Sequence, residues 1–217
     1  MKTLFLNIIF ILLCASYLNA QNASNNEDSL EWINDELESF KYQTQKGKWV
    51  VGMGYGLGVS YQNQSLAFTK STVLLDVFGI VYSGHYIYDK FWVGAFGFGG
   101  LRSVSFNYSN NNLETFLGVG PRVRKYVFNG FFLEASYGFN KSVLSYSVEN
   151  NVARFDGFGN MYGLGIGFGN FWTKNLSLDI IINYYYLTTN YEIYDTPNTS
   201  SNFSITANIN FAFKKKK

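Results

Sequence analysis

The sequence predicts an all-β protein: an eight-stranded antiparallel up-and-down transmembrane β-barrel, preceded by a short helical segment. Three observations lead there. From Trp49 to Tyr61, large apolar side chains at odd positions alternate with glycine or serine at every even position but Val50, and a period of two is the signature of a strand. Strand-like runs recur at 49–61, 71–88, 91–108, 114–127, 131–148, 156–171, 175–190 and 202–213, an even number that returns both chain ends to one side. Their connections alternate between polar stretches (62–70, 109–113, 149–155, 191–201) and tight ones near 89–90, 128–130 and 172–174. That asymmetry of loops is characteristic of an outer-membrane barrel.

Composition narrows the classes. Aromatic residues make up 19 % of the 217 and charged ones 15 %, with a net charge of +2. Such a chain is too aromatic for disorder and too weakly charged for nucleic-acid binding. Beyond the first twenty residues no stretch reaches the ~18 consecutive apolar residues of a spanning helix. Alternating strands need no such stretch.

The elements follow in order. Met1 to Ala20 reads as a secretory signal: Lys2 supplies charge, Leu4 to Leu13 form an apolar core broken only by Asn7, and Ala20 closes it with a small residue. Leu13 precedes Cys14, where a lipoprotein signal needs a small residue, so Cys14 belongs to the discarded leader. The chain from Gln21 then carries no cysteine, and neither a disulfide, a metal nor a cofactor is expected. Residues 21–48 are expected to be a periplasmic segment. In it Ser29 caps a helix with Leu30, Ile33, Leu37 and Phe40 on one face and Glu31, Asp35, Glu36 and Glu38 on the others, packed on the barrel end. The barrel occupies 49–213, and 214–217 is a tail of four lysines.

Parity assigns the faces. The sixth strand sets Phe158, Tyr162, Leu164, Ile166 and Phe168 against Gly159, Gly163, Gly165, Gly167 and Gly169, and the eighth sets Phe203, Ile205, Ile209 and Phe211 against Ser204, Thr206, Asn208 and Asn210. Large residues are expected to meet lipid, with glycine facing a narrow lumen where side chains from other strands need room. The second strand leaves its parity open: Asp76 on the even face implies odd-outward, yet Phe78, Ile80 and Tyr82 then point inward. A bulge or a thick lumen layer accommodates either arrangement. Trp49, Trp92 and Trp172 all fall at the tight-turn end, as interfacial aromatic anchors do.

The charges that could carry chemistry lie on the fourth and fifth strands, Arg122 and Arg124 on one even face and Glu134 on the other. A three-residue loop, Phe128-Asn129-Gly130 with Gly130 left-handed, keeps the register even and sets Arg124 opposite Glu134. A two-residue turn would put the arginines in lipid, at ~2–4 kcal/mol each at mid-depth. The expected lumen network is Arg122, Arg124, Glu134, Asp179 and Asp76. Filling a narrow interior is favoured over a selectivity or ligand site. Arg102 and Lys141, ten residues after Trp92 and Phe131, are assigned outward parity. At ~3.3 Å per residue and a tilt near 40° they rise roughly 25 Å to the outer rim, within reach of lipopolysaccharide phosphates. Ser83 and His85 share a face, as the nucleophile and base of a lipid-A deacylase would. They lie near the tight turn, away from the outer leaflet and without an orienting acid, so no enzyme is expected. Gly47-Lys48-Trp49 matches the Gly-x-Trp of lipocalins, whose cavity is lined by large residues and whose exterior is wet; a soluble calycin is the competing fold.

Several motifs together resemble the outer-membrane β-barrel (porin-family-like) domain common in Bacteroidetes-type bacteria: Gly84-His-Tyr-Ile-Tyr-Asp-Lys-Phe-Trp-Val-Gly94, Pro121-Arg-Val-Arg-Lys-Tyr126, Phe132-Leu-Glu-Ala135 and Phe171-Trp-Thr-Lys-Asn-Leu-Ser-Leu178. The resemblance implies a fold and an outer-membrane address more than an activity. It also implies delivery by barrel-insertion machinery, which reads a terminal aromatic; here Phe213 is followed by Lys214 to Lys217. The expected role is structural or surface interaction, with outer-membrane lipid and lipopolysaccharide around the wall and an extracellular partner at the loops 107–112 and 195–202. A small porin comes second, and a lipid-modifying enzyme or lipocalin-like binder after that.

Overall fold

The computed structural model describes residues 27–63, 72–106, 110–148, 151–192 and 197–214; the expected signal, Met1 to Ala20, and Lys215 to Lys217 lie outside them. Eight strands, β1 (Lys48–Asn63), β2 (Thr72–Tyr88), β3 (Phe91–Phe106), β4 (Asn110–Tyr126), β5 (Phe131–Val148), β6 (Asn151–Phe171), β7 (Leu176–Tyr191) and β8 (Asn198–Lys214), form one closed antiparallel barrel in which β8 pairs back onto β1. A row of paired residues starting at Met53 passes through Val81, Gly97, Val119, Phe139, Asn160, Thr188 and Thr199 and closes on Asn63, ten residues farther along β1. That stagger tilts the strands, and with eight of them the interior is just wide enough for side chains to fill.

The strands run longer than expected at the loop end. Residues 110–113, 151–155 and 198–201, read from composition as connections, continue the ladders of β4, β6 and β8, and on β8 the inner residues Asn198 and Ser200 are buried.

Packing inside the barrel settles β2. Its even residues Leu74, Asp76, Phe78, Ile80, Tyr82 and Tyr86 are buried, and Leu75, Val77 and Val81 are exposed. A Cβ at Gly52 or Gly56 of the neighbouring β1 would lie within 3 Å of the Tyr82 or Phe78 ring. The bare inner face of β1 is therefore the space into which β2 sends its aromatics. The next strand, β3, follows β2: Trp92, Phe96, Phe98 and Arg102 point inward, and Val93, Ala95, Gly97, Gly99 and Leu101 form its outer face. The rule of large residues outward is thus inverted on two adjacent strands. An irregularity at Tyr86/Tyr88 lets the β2–β3 ladder reach its turn, where Lys90 takes the left-handed conformation with φ 63°.

Among the described residues, one helix, α1 (Glu27–Gln43), precedes the barrel. It is described from Glu27 onward, so Ser29 lies inside the helix and not ahead of it as a cap residue. At its C-terminal end Phe40 enters the tight-turn mouth of the barrel, edge-on to Tyr126 and Phe171 at centroid distances of 5.4 and 5.0 Å. Gln43 Nε2 donates to the Thr173 carbonyl at 2.6 Å, the Lys90 amide donates to the Thr44 carbonyl at 2.8 Å, and the Gly47 amide donates to the Tyr86 carbonyl at 2.9 Å. These bonds stitch the helix end to two turns and a strand. Burial raises the pKa of Glu36 above its ordinary value, opposed by a hydrogen bond from the Phe171 backbone. Among the described residues no helix is long and apolar enough to cross a membrane.

Candidate functional site

Among the described residues the lumen holds two separate ionic networks. The first grows from the β4–β5 hairpin. Val127 N donates to the Phe131 carbonyl at 2.9 Å, Phe131 N donates to the Phe128 carbonyl at 3.0 Å, and Gly130 has φ 75°. This is a three-residue loop, and it sets Arg124 opposite Glu134. Arg124 donates to Glu134 Oε2 through Nε at 3.2 Å and Nη2 at 3.0 Å, and its Nη1 reaches Asp179 and, at 3.3 Å, the Tyr126 hydroxyl. Arg122 binds the other oxygen of Glu134. The Arg124 guanidinium lies 3.8 Å from the Phe132 ring centroid and that of Arg122 4.8 Å from the Tyr82 ring. Two arginines face two carboxylates, so the charge balances, which a desolvated group requires.

Asp76 is not part of that network. It belongs to a second one near the loop end, built on three consecutive strands in which Asp76, Arg102 and Glu114 stand in one row. Arg102 donates to Asp76 through Nε at 2.9 Å and Nη2 at 3.1 Å, and its Nη1 donates to Glu114 at 3.3 Å and to Ser200 Oγ at 3.4 Å. The Tyr191 hydroxyl donates to Glu114 at 2.7 Å, and Ser60 and Asn202 donate to Asp76. Arg102 is therefore a lumen residue. Its assignment to the outer rim is corrected, and the cause is Trp92: that ring is buried against Tyr82 instead of anchoring in the interface, so taking it as outward reversed the parity of β3. A signal was present, since Asp76, Arg102 and Glu114 are opposite charges at even positions of successive strands.

Between the networks lies an apolar layer that includes Phe78, Ile80, Phe96, Phe98 and Met161. The cavity there, lined also by Asp76, Arg102 and Tyr185, measures about 20 Å³, room for about one water.

The remaining expected positions lie on the outside. Trp49 is exposed with its ring 5.0 Å from that of His85, and Trp172 is exposed in the β6–β7 turn. Lys141 faces outward and half-exposed, its Nζ 3.2 Å from Asp156 and 5.4 Å from the Phe158 ring centroid. Asn198, Ser200 and Asn202, expected in a contact loop, are buried on the inner face of β8, whereas 107–109 and 195–196 lie outside the described residues. Lys214 ends β8 beside Lys48. Among the described residues no three His, Cys, Asp or Glu side chains are grouped to hold a metal.

The geometry defines a class: a closed eight-stranded barrel with an apolar outer wall and paired charges within. No protein-family model matches the sequence, and no curated protein does. Solved structures do match. The attachment invasion locus protein Ail of Yersinia pestis, solved in complex with the heparin analogue sucrose octasulfate, is 11 % identical with a TM-score of 0.54, covering 78 % of this chain and 100 % of that one. Neisserial surface protein A is 12 % identical with a TM-score of 0.51, covering 77 % of this chain and 98 % of that one. At these identities the likeness establishes the fold.

Proposed function

We propose that this chain is an integral barrel of a bacterial outer membrane whose lumen is plugged, and that it serves a structural or surface-interaction role rather than transport or catalysis. The observation that carries the reading is the distribution of polarity. Outward residues such as Tyr55 and Leu117 are 79 % and 69 % exposed on a wall far larger than the few hundred Å² of apolar patch a soluble monomer tolerates. The interior, by contrast, is filled by aromatics and two ionic networks, and Phe40 stands in one mouth. A lipocalin-like binder would need the opposite arrangement. The two solved neighbours share the barrel fold, one of them named an attachment protein and the other a surface protein, which supports the same address. Ser83 and His85 sit on the outer wall, and the His85 ring lies against Trp49 at a tilt of 42° without a hydrogen-bond partner at Nδ1 among the described residues, which favours an interfacial side chain over a catalytic base. In this reading the tight turns face the periplasm, lipopolysaccharide and phospholipid surround the wall, Phe213 addresses the insertion machinery, and the loop ends between β1 and β2, β3 and β4, β5 and β6, and β7 and β8 meet extracellular partners.

Refolding of residues 21–217 from urea tests this. The expected result is a β-rich state formed only in detergent, with a gel mobility that shifts on boiling and no steady conductance in planar bilayers. Folding without detergent would overturn the membrane reading, and a steady ohmic conductance would replace the plugged barrel with a small porin.

A further inference from the structure

The inversion on β2 and β3 leaves a mark on the outer wall. Gly79, Gly97 and Gly99 face outward, and over them runs a groove of about 730 Å³, bounded by Met53 and Tyr55 on one side, by Leu117, Val119 and Phe139 on the other, and by Lys141 and Phe158 at its far end. Lumen glycines are there because a Cβ would collide. Two of these wall glycines have no such reason. A Cβ at Gly79 would meet nothing nearer than 3.8 Å and one at Gly97 nothing nearer than 3.6 Å, which is ordinary contact, and neither has positive φ. A strand gains from a β-branched residue at such positions and loses by glycine. Glycine there keeps the wall open.

The groove has a direction. Rows of paired residues climb toward the loop end, since the row from Met53 closes on Asn63. At a tilt near 40° the climb is about 3 Å per strand and about 2.4 Å per residue along a strand. Met53 then stands roughly 10 Å above Trp49, and Lys141 about 25 Å above the Phe131 level, so the groove runs from near mid-membrane to the outer rim of an apolar band ~25 Å tall. Its upper end carries a cationic side chain, Lys141, the one among the described residues that bound it. That ammonium pairs with Asp156 at 3.2 Å, both groups about half-exposed, the kind of surface pair that is weak and exchangeable.

We propose that this groove binds one acyl chain of lipid A, with a lipid A phosphate on Lys141 in exchange for Asp156. The proposal rests on the outer-membrane reading and deepens it by naming the site. A groove confined to the outer half, with its cation at the rim, matches a phosphorylated lipid of the outer leaflet and not one of the inner leaflet.

The test is native mass spectrometry of the refolded barrel in detergent, titrated with bisphosphorylated lipid A, dephosphorylated lipid A and phosphatidylglycerol. The expected result is one saturable bisphosphorylated lipid A, held about tenfold tighter than the other two. Gly97→Val, which fills the groove, and Gly79→Val as a second variant should each weaken it about tenfold while keeping the heat-modifiable mobility; Lys141→Gln should abolish the preference for the phosphorylated form. Folded Gly97→Val and Gly79→Val proteins that bind lipid A like the parent would overturn the groove, as would equal binding of all three lipids. Loss of heat modifiability in the parent itself would instead overturn the barrel reading.

Discussion

At Glu134 a single carboxylate answers two buried guanidinium groups, Arg122 and Arg124, and only Asp179 shares the load. Replacing it by alanine leaves two charges facing one in a desolvated interior. Glu134→Ala is therefore expected to lose about 3–5 kcal/mol of unfolding free energy in urea titrations in detergent, whereas Asp156→Ala, breaking the half-exposed outer pair, should change it by less than about 1 kcal/mol. Equal losses would mean that burial does not distinguish the two pairs. The Arg124–Glu134 pair was legible in the sequence because one turn controls it: Gly130 at left-handed φ gives the loop length, the loop length gives the register, and the register puts both residues on one face. Arg102 was not legible in the same way. Its face depends on whether the neighbouring strands are bare inside, where Gly84 on β2 and Gly118 on β4 leave room for the Trp92 and Phe98 rings.

Elements tell the same story at a larger size. The eight strands and three tight turns follow from period-two patterning and turn residues, which are local. The loop-end limits of β4, β6 and β8 were underestimated because pairing continues through polar residues that carry no alternation. Helix α1 was legible by its apolar face, but its docking depends on the lumen mouth that receives Phe40. That docking carries a pH dependence through Glu36. Its carboxyl, with an ordinary pKa of 4.5, is raised by burial against the barrel end, so the docked state holds the proton more tightly than the undocked one. The contribution of this group is complete below the ordinary value and is lost as pH rises through the raised one. Glu36→Gln, which cannot ionise, is expected to protect the 27–43 segment from proteinase K better than the parent at pH 8, with the difference vanishing at pH 4. Comparing variant and parent at each pH removes the protease's own pH dependence. A difference that is constant with pH would assign the effect to helix propensity or shape instead.

For the molecule as a whole, orientation is the consequence on which the rest depends. Strand number, stagger and the position of α1 place both ends of the barrel, Lys48 and Lys214, and all three tight turns at one side, with the two longest strands, β5 and β6, rising at the other. An apolar wall with these ends has two possible insertions, and only one puts Lys141 and the upper mouth of the groove in the outer leaflet. The chain offers a clean probe, because its single cysteine, Cys14, lies in the expected leader and residues 21–217 contain none. Two exposed positions mark the ends: Lys174 in the β6–β7 turn and Glu192 just beyond β7. In intact cells a membrane-impermeant maleimide is expected to label Glu192→Cys and to leave Lys174→Cys untouched until the outer membrane is permeabilised. Labelling of Lys174→Cys in intact cells, with Glu192→Cys protected, would invert the barrel. It would move the groove into the inner leaflet, where lipid A is absent, and turn the basic tight-turn end and α1 toward the outside.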